Sequence, residues 1–493
     1  MAYLRIKSCR LLLLAVSFLA ASSLANAQVK VTESTKSGEP NEIIEMSVSA
    51  APQADPIFKH RLTSMPNETI AGNAATAYMH LFASGFLDRC VRFEKQYDDE
   101  LQAWSQCDTP RDQIPLQKLR EASALFDVDF KHYIDRASRS RHCDWGYQIE
   151  DLTGPMAIGV TLDTLQDTRA ISRIIALQTK LAILDSRFED ATNLMRMNYR
   201  LAENVGEVKL VVGSLIALTV TGISNDSMLA LIAAPDAPNM YWALTELPCS
   251  IANVRAALRM EVGIGLRIFP EIANAESTIH TREEWSRIVR GMPRTAMEIS
   301  YAQPPAKRQV DFMALGAGLL SYAPAKRRLI DSGMDANQVE QMPVGQVLLI
   351  DANREYRRLA NRFETVIYFP LEGAIDRART VEDQLFRAQE EERDSVGTIL
   401  ASMLLPALQH VRYAELRVQR DIDALRVIEA LRMHAAKEGK FPGSLDEVKV
   451  VPVPNNPTTG KPFEYRLEGE VATIELPKSD GVNYAKRYKI SLR

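Results

Sequence analysis

The sequence predicts a mainly α-helical protein with a small α+β module near its C-terminal end. Apolar residues recur at every third or fourth position through most of the chain, and short turns separate these stretches. Alternation of apolar and polar residues begins after residue 460. With 493 residues, 46% of them hydrophobic and 25% charged, the chain has material for about three domains. We therefore expect a multi-helix array of antiparallel helical hairpins, followed by a long helix and a β-hairpin.

The N-terminus has the three parts of a secretory signal. A positive segment (residues 5–10) precedes an apolar core (residues 11–21), and Ala25 and Ala27 are small residues where signal peptidase reads them. We predict cleavage between Ala27 and Gln28, and export to the periplasm, the cell surface or the extracellular medium. The apolar core is shorter than the roughly 20 residues of a membrane span, although an uncleaved anchor or a buried first helix is the alternative.

The composition narrows the range of partners. The net charge is −4, and it becomes −7 when the three cations of the signal leave. A weakly acidic mature chain without a basic stripe argues against nucleic acid as a partner. Residues 210–223 are nearly all apolar but too short for a bilayer, so we expect a buried core helix and no transmembrane span in the mature chain. The expected partners are other proteins of the cell envelope.

The first part of the mature chain divides into a leader and a helical domain. Residues 28–65 have little apolar periodicity and predict a flexible leader, because such a segment buries too little surface to offset its ordering entropy. Residues 66–250 form the predicted N-terminal helical domain. It opens with a helix over 72–106, which Gly85 interrupts, and a second helix over 116–137.

The clearest helical pattern lies at residues 176–202. An apolar helix ends at the turn 185–187, and Phe188 followed by Glu189-Asp190-Ala191 opens the next helix. This order resembles a tetratricopeptide-like helical hairpin, in which a polar turn precedes an aromatic residue and then Glu-x-Ala. The resemblance rests on one clear copy and implies helices packed side by side.

Residues 251–419 form the predicted second helical region. Pro343 and Pro370 mark helix boundaries, because proline disfavours helix in the residue before it. The predicted helices span 251–269, 282–290, 310–320, 325–332, 344–369 and 380–410.

A different pattern begins at residue 420 and predicts a C-terminal module over 420–493. A long helix over 421–437 ends at Gly439, and the strands 463–467 and 471–476 flank a hairpin turn. The order resembles the globular part of type II secretion pseudopilins over about 60 residues. Its matching residues are Gly439, Pro442, Ser444, Leu445, Pro457, Gly460, Pro462 and Tyr465.

The pseudopilin resemblance implies that the hairpin packs back on the long helix. The N-terminus, however, lacks the prepilin-type cleavage motif, and Asp480 stands nearly alone where the major pseudopilin has a calcium loop. We therefore expect a reused packing module and not a pilus subunit.

Residues 70–476 also resemble a group of exported helical proteins of unknown function that are abundant in planctomycete-type bacteria. The resemblance implies a shared architecture and brings no activity with it. The strings that carry it lie at residues 143–146, 188–191, 237–244, 342–347 and 442–465.

The most chemically suggestive string is His142-Cys143-Asp144-Trp145-Gly146. His142 and Asp144 are candidate catalytic residues, but adjacent residues do not face one another on a helix, and the alternative is a structural turn that buries Trp145. An enzyme would require His142 and Asp144 to converge with Glu150 and Asp151 in one pocket.

Four cysteines remain once the signal is removed: Cys90, Cys107, Cys143 and Cys249. Export permits disulfides among them, and buried free thiols are the alternative. No C-x-x-C spacing occurs, which disfavours zinc and thioredoxin-like chemistry, and we expect no cofactor.

Three functions follow from these observations. The first is a non-enzymatic scaffold or protein-interaction protein, because stacked helical hairpins offer grooves for partner proteins. The second is a hydrolase that acts on envelope material, although the seven histidines are scattered and no catalytic motif surrounds them. The third, an accessory of a secretion or pilus-like system, depends on the C-terminal module.

Overall fold

The computed structural model describes residues 29–34, 40–157, 163–299, 307–391, 394–479 and 482–493. Helix dominates these residues and a small sheet accompanies it, so the predicted mainly α class is confirmed. The predicted signal, its cleavage site between Ala27 and Gln28, and Asp480 lie outside the described residues.

The helices of the first half lie within the predicted N-terminal domain and the start of the next region. They are α1 (Ala74–Ala83), α2 (Phe86–Ser105), α3 (Leu116–Ala124), α4 (Asp127–Asp129), α5 (Asp135–Arg139), α6 (Asp163–Leu184), α7 (Phe188–Gly206), α8 (Val211–Ile232), α9 (Tyr241–Thr245), α10 (Val254–Val262), α11 (Ile264–Ile268) and α12 (Pro270–Ala273). A π-helical turn (Phe130–Ile134) joins α4 to α5, so the helix predicted over 116–137 is divided.

Seven helices follow in the second half of the described residues, which also contain seven strands. The helices are α13 (Arg282–Ile299), α14 (Lys307–Asp331), α15 (Ala336–Gln341), α16 (Val344–Tyr368), α17 (Leu371–Glu391), α18 (Val396–Leu404) and α19 (Pro406–Glu438). The strands are β1 (Val29–Glu33), β2 (Glu42–Val48), β3 (Ile70–Asn73), β4 (Ser140–His142), β5 (Glu464–Glu468), β6 (Val471–Leu476) and β7 (Lys486–Leu492).

Local chemistry explains several helix boundaries. Gly85 has φ +79°, a conformation that glycine adopts readily, and it separates α1 from α2 as the sequence predicts. Gly439 has φ +76° and caps α19, again as predicted. The Asp335 and Ser395 side chains accept backbone N–H groups at the starts of α15 and α18.

A five-stranded sheet joins the first two described strands to the last three strands of the chain. Its strand order is β1-β2-β7-β6-β5, and β5 and β6 form the predicted antiparallel hairpin. The strand β2 pairs in parallel with β7, from Glu42 opposite Lys486 to Val48 opposite Leu492. The pattern of the last residues was not recognised as a strand from the sequence.

The prediction of a flexible leader over 28–65 is wrong where strands β1 and β2 form. Ile44 and Met46 alternate with more exposed residues and bury one face of β2, so tertiary packing offsets the entropy of ordering a polar segment. Beyond the strand, the Arg432 Nε donates to the Ser49 carbonyl oxygen at 2.9 Å, which holds the chain against α19.

The core joins the helices and the sheet. Buried residues of α6, α7, α8, α16, α19 and the sheet belong to one continuous apolar cluster. The helix α19 runs unbroken across the predicted boundary between residues 419 and 420, so the C-terminal module shares its helix with the preceding region.

The helix α8 has the apolar composition of a membrane span. Among the described residues it is the one helix long and apolar enough to cross a bilayer, with a mean hydropathy of 1.6. Yet 67% of that apolar stretch is buried inside the fold, where α8 packs against α6, α7, α10 and α19. This arrangement is typical of a core helix, although the helix extends nine residues beyond the predicted end at Ile223.

Candidate functional site

A cleft of about 480 Å³ opens between two segments that are far apart in the sequence. One wall is the irregular segment after β4, and the other is the connection between α7 and α8. The lining residues are Cys143, Asp144, Trp145, Gly146, Tyr147, Gln148, Ile149, Glu150, Asp151, Glu207, Val208 and Lys209.

Asn73 fixes the first wall to the start of α1. Its side-chain oxygen accepts the N–H of Ala75 at 3.1 Å and so caps the helix. The same oxygen accepts the N–H of Asp144 at 2.8 Å, and the Asn73 amide donates to the Asp144 carbonyl oxygen at 2.6 Å. One side chain therefore positions both the helix and the segment that carries the cleft.

Trp145 anchors the floor of the cleft. Its indole is 7% exposed and its Nε1 donates to the Asn204 carbonyl oxygen in α7 at 2.8 Å. The Asn204 side chain in turn donates to the hydroxyl of Tyr78 at 3.1 Å. Burial raises the pKa of Tyr78, so this hydroxyl remains protonated. The cleft floor is thus held by buried hydrogen bonds from α1 and α7.

Arginine side chains support the rest of the wall. The Arg267 Nη1 donates to the Ile149 carbonyl oxygen at 2.9 Å, while its Nη2 donates to the Met260 carbonyl oxygen at 3.1 Å. The Arg200 Nη2 donates to the Ser140 carbonyl oxygen in β4 at 3.0 Å. Since these donors lie on α7 and α11, the fold preorganises the cleft.

Four carboxylates and one ammonium line the cleft, so its local charge is negative. The Asp144 Oδ1 accepts the N–H of Gly146 at 2.9 Å and stabilises a turn in which Gly146 has φ +73°. The Lys209 Nζ lies 3.5 Å from the Glu150 Oε1. Within the described chain, no ion pair joins the carboxylates of Asp151 and Glu207 to another residue.

The structure brings together three of the four residues that the enzyme hypothesis requires. Asp144, Glu150 and Asp151 line the cleft and are exposed, whereas His142 is exposed on β4 and lies outside the lining. Trp145 is buried as the structural alternative predicts. The Asp144 carboxylate already stabilises a turn, so His142 and Asp144 do not form a catalytic pair in this site.

The four cysteines predicted as disulfide candidates are free thiols in the structure. Cys143 lines the cleft, where burial raises the pKa of its thiol to about 12. Burial likewise raises the pKa of Cys90 and Cys107 to about 12, and Cys249 is exposed. A thiol with so high a pKa is a poor nucleophile at neutral pH, so the geometry gives Cys143 a packing role.

Sequence reasoning missed Glu207 and Lys209. They occupy a short polar connection between two apolar helices. The polarity of this connection is the one feature of the sequence that could have pointed to them. Their position opposite residues 143–151 depends on the packing of α7 against α1 and α5. Among the described residues, no group of three or more His, Cys, Asp or Glu side chains is placed to hold a metal ion.

Comparisons with protein-family models, with curated proteins and with solved structures find no significant match to this chain.

Proposed function

We propose that the protein is an exported helical scaffold that holds a basic segment of another envelope protein in its acidic cleft. The observation that carries this proposal is the excess of carboxylates over cations in a cleft open to water. A surface of one charge sign attracts and orients a partner segment of the opposite sign.

The supported walls of the cleft favour binding without rearrangement. Asn73, Trp145 and Arg267 hold the backbone in place through hydrogen bonds from three different elements. A preorganised site loses less conformational entropy when a partner binds. Tyr147 is also among the residues that line the cleft, and aromatic rings attract ammonium and guanidinium groups.

The exposure of the carboxylates limits the expected affinity. An exposed ion pair contributes about 0.2–1 kcal/mol, so several lysines or arginines would be needed to occupy the cleft. We therefore expect a weak complex whose association rate falls as salt is added, because screening acts strongly on exposed charges.

Fluorescence anisotropy with two labelled peptides tests this function. The chain from Gln28 is mixed with a peptide of alternating lysine and glycine, or with its glutamate counterpart. We expect saturable binding of the lysine peptide and at least a tenfold weaker response to the glutamate peptide. Equal binding of both peptides, or of neither, would refute a basic partner segment.

Charge-neutral variants locate the binding. Glu150→Gln, Asp151→Asn and Glu207→Gln together remove three cleft carboxylates with little change in shape. We expect this triple variant to lose most of its affinity for the lysine peptide. The matched control, Glu121→Gln with Glu468→Gln and Glu470→Gln, removes three exposed carboxylates elsewhere and should keep the affinity.

An envelope-acting hydrolase is the second candidate, because Asp144, Glu150 and Asp151 line one cleft. In this case Asp151 and Glu207 are the carboxylates available for acid–base chemistry. Release of soluble fragments from cell-wall glycan, abolished by Asp151→Asn and by Glu207→Gln, would establish the hydrolase. Intact glycan after prolonged incubation with the native protein would rule out this substrate.

An accessory role in a secretion or pilus-like system is the third candidate and rests on the pseudopilin-like order of the C-terminal module. It predicts that tagged protein from its own host copurifies with pilus-like subunits. A pull-down that recovers the protein without such subunits would contradict it.

A further inference from the structure

One lysine of the acidic cleft reaches from one wall to the other. Lys209 belongs to the connection between α7 and α8, and Glu150 belongs to the turn over 149–151 on the opposite wall. The Lys209 Nζ donates to the Glu150 Oε1 at 3.5 Å. Within the described chain, this is the ion pair that crosses the cleft.

The backbone of Lys209 is held in place because both of its neighbours are buried. Val208 is 4% exposed and Leu210 is 6% exposed, so the two side chains pack into the core on either side of Lys209. An added Cβ at Gly213 of α8 would lie 2.9 Å from the Val208 carbonyl oxygen. The connection therefore lies directly against α8, and its Lys209 side chain extends into the cleft.

Glu150 extends from the other wall in the same way. Its neighbour Ile149 is 3% exposed, and Arg267 donates to the Ile149 carbonyl oxygen. The Lys209 and Glu150 side chains are each 54% exposed. Two supported backbone segments thus bring opposite charges together where both water and a partner segment can reach them.

Lys209 carries the kind of group that the cleft is proposed to bind. A lysine of the partner also ends in an ammonium on a flexible aliphatic stem, so it can make the contact that Lys209 makes with Glu150. Two ammonium groups repel each other and need the same space beside this carboxylate. A partner lysine that reaches Glu150 therefore displaces Lys209.

The other carboxylates of the cleft differ in what they offer a partner. Asp144 accepts the N–H of Gly146 at 2.9 Å and already stabilises a turn. Asp151 and Glu207 are exposed, one on each wall. With Lys209 paired, the cleft offers mainly these two carboxylates, and displacement of Lys209 adds Glu150 as a third.

We propose that Lys209 is an internal competitor of the partner segment. Its ammonium binds Glu150 in the free protein and gives way to a lysine of the partner. This inference rests on the proposed function, because it takes the acidic cleft as the binding site. It makes Lys209 a residue that weakens binding and restricts the cleft to segments with enough positive charge to displace it.

Substitution of Lys209 gives the expected size and sign of the effect. Because an exposed ion pair contributes little, Lys209→Gln should bind the lysine peptide only about two- to fivefold more tightly than the native chain. Lys209→Arg keeps a cation beside Glu150 and should bind like the native chain.

Fluorescence anisotropy with the labelled peptide of alternating lysine and glycine measures these affinities for the chain from Gln28. The matched control is Lys449→Gln, which removes an exposed cation outside the cleft and changes the net charge equally. We expect this control to keep the native affinity. An equal gain in Lys449→Gln and Lys209→Gln would overturn the proposal, because net charge alone would then explain it.

Glu150→Gln separates competition from general repulsion between cations. In this background Lys209 has lost the carboxylate for which it competes, so Lys209→Gln should bring a clearly smaller gain than in the native chain. A gain of the same size in both backgrounds would show that Lys209 acts independently of Glu150, and the proposal would be wrong.

The outcomes separate this inference from the proposed function. If the native chain binds the lysine peptide and Lys209→Gln binds it no more tightly, the inference fails while the basic partner segment stands. If neither chain binds the peptide, the proposed function fails and the inference falls with it. Binding by Lys209→Gln alone would support both.

Discussion

The indole of Trp145 lies parallel to the phenol ring of Tyr78, with ring centroids 5.6 Å apart and 8° between the ring planes. The two residues belong to different parts of the chain, and Asn204 of α7 bonds both of them. This stack is the physical link between the cleft and the helical body, because Trp145 lines the cleft and Tyr78 lies in the core.

The first prediction concerns the indole hydrogen bond of Trp145. Trp145→Phe should lower the free energy of unfolding by about 1–2 kcal/mol, because the Asn204 carbonyl oxygen loses its buried donor. Trp242→Phe is a matched control that removes a bond to the exposed Gln53 side chain. Urea unfolding of both variants checks the difference, and equal losses would show that the buried bond has no special contribution.

The second prediction compares two glycines inside helices. Gly397 of α18 contacts the Ala352 backbone so closely that an added Cβ would overlap the Ala352 carbonyl oxygen. Gly397→Ala should therefore destabilise the protein by about 1–3 kcal/mol or more. Gly222 of α8 has open space at the same atom, and Gly222→Ala should stabilise it by about 0.5–1 kcal/mol. Melting temperatures that shift in the same direction would contradict this packing.

The third prediction concerns a buried ion pair in α19. The Arg432 Nη1 lies 2.9 Å from the Glu429 Oε1, and both side chains are fully buried. Arg432→Met should cost about 3–5 kcal/mol, since it leaves the Glu429 charge uncompensated and frees the Ser49 and Ala237 carbonyl oxygens.

The pH dependence of the Arg432→Met variant tests whether the loss of stability comes from an unpaired, buried Glu429 carboxylate. Burial raises the pKa of Glu429 even beside Arg432, so the carboxyl of Arg432→Met takes up a proton more readily when folded than when unfolded. Its stability deficit should therefore shrink as the pH falls from 7 to 5. The added substitution Glu429→Leu should recover part of the loss at pH 7, and a deficit independent of pH would contradict an uncompensated carboxylate.

The fourth prediction concerns the thiols. Titration of the folded chain from Gln28 with Ellman's reagent at pH 8 should modify the exposed Cys249 first. The buried Cys90 and Cys143 should react when the chain unfolds, because burial keeps them protonated and inaccessible. Without reductant, the denatured chain should titrate four thiols. A count of two would show that a disulfide forms after all.

Only one wall of the acidic cleft could be predicted from the sequence. Three of the cleft residues could be predicted from the sequence, because they are carboxylates close together in the chain: Asp144, Glu150 and Asp151. Glu207 and Lys209 follow them by more than fifty residues, and no local pattern connects the two segments. His142 stands next to the site in sequence but outside the cleft, because its strand pairs with β3.

The sequence by itself determined most of the helical stretches, because helical spacing is a local property, but it misplaced several helix boundaries, such as those within 116–137 and 380–410. A few neighbouring residues were enough to predict the helix ends at Gly85 and Gly439 and the hairpin of β5 and β6. Only the tertiary structure decided the sheet, since β2 pairs with strand β7 at the other end of the chain. A polar segment such as 42–48 orders only when a distant strand supplies its hydrogen bonds and the apolar core covers its buried face.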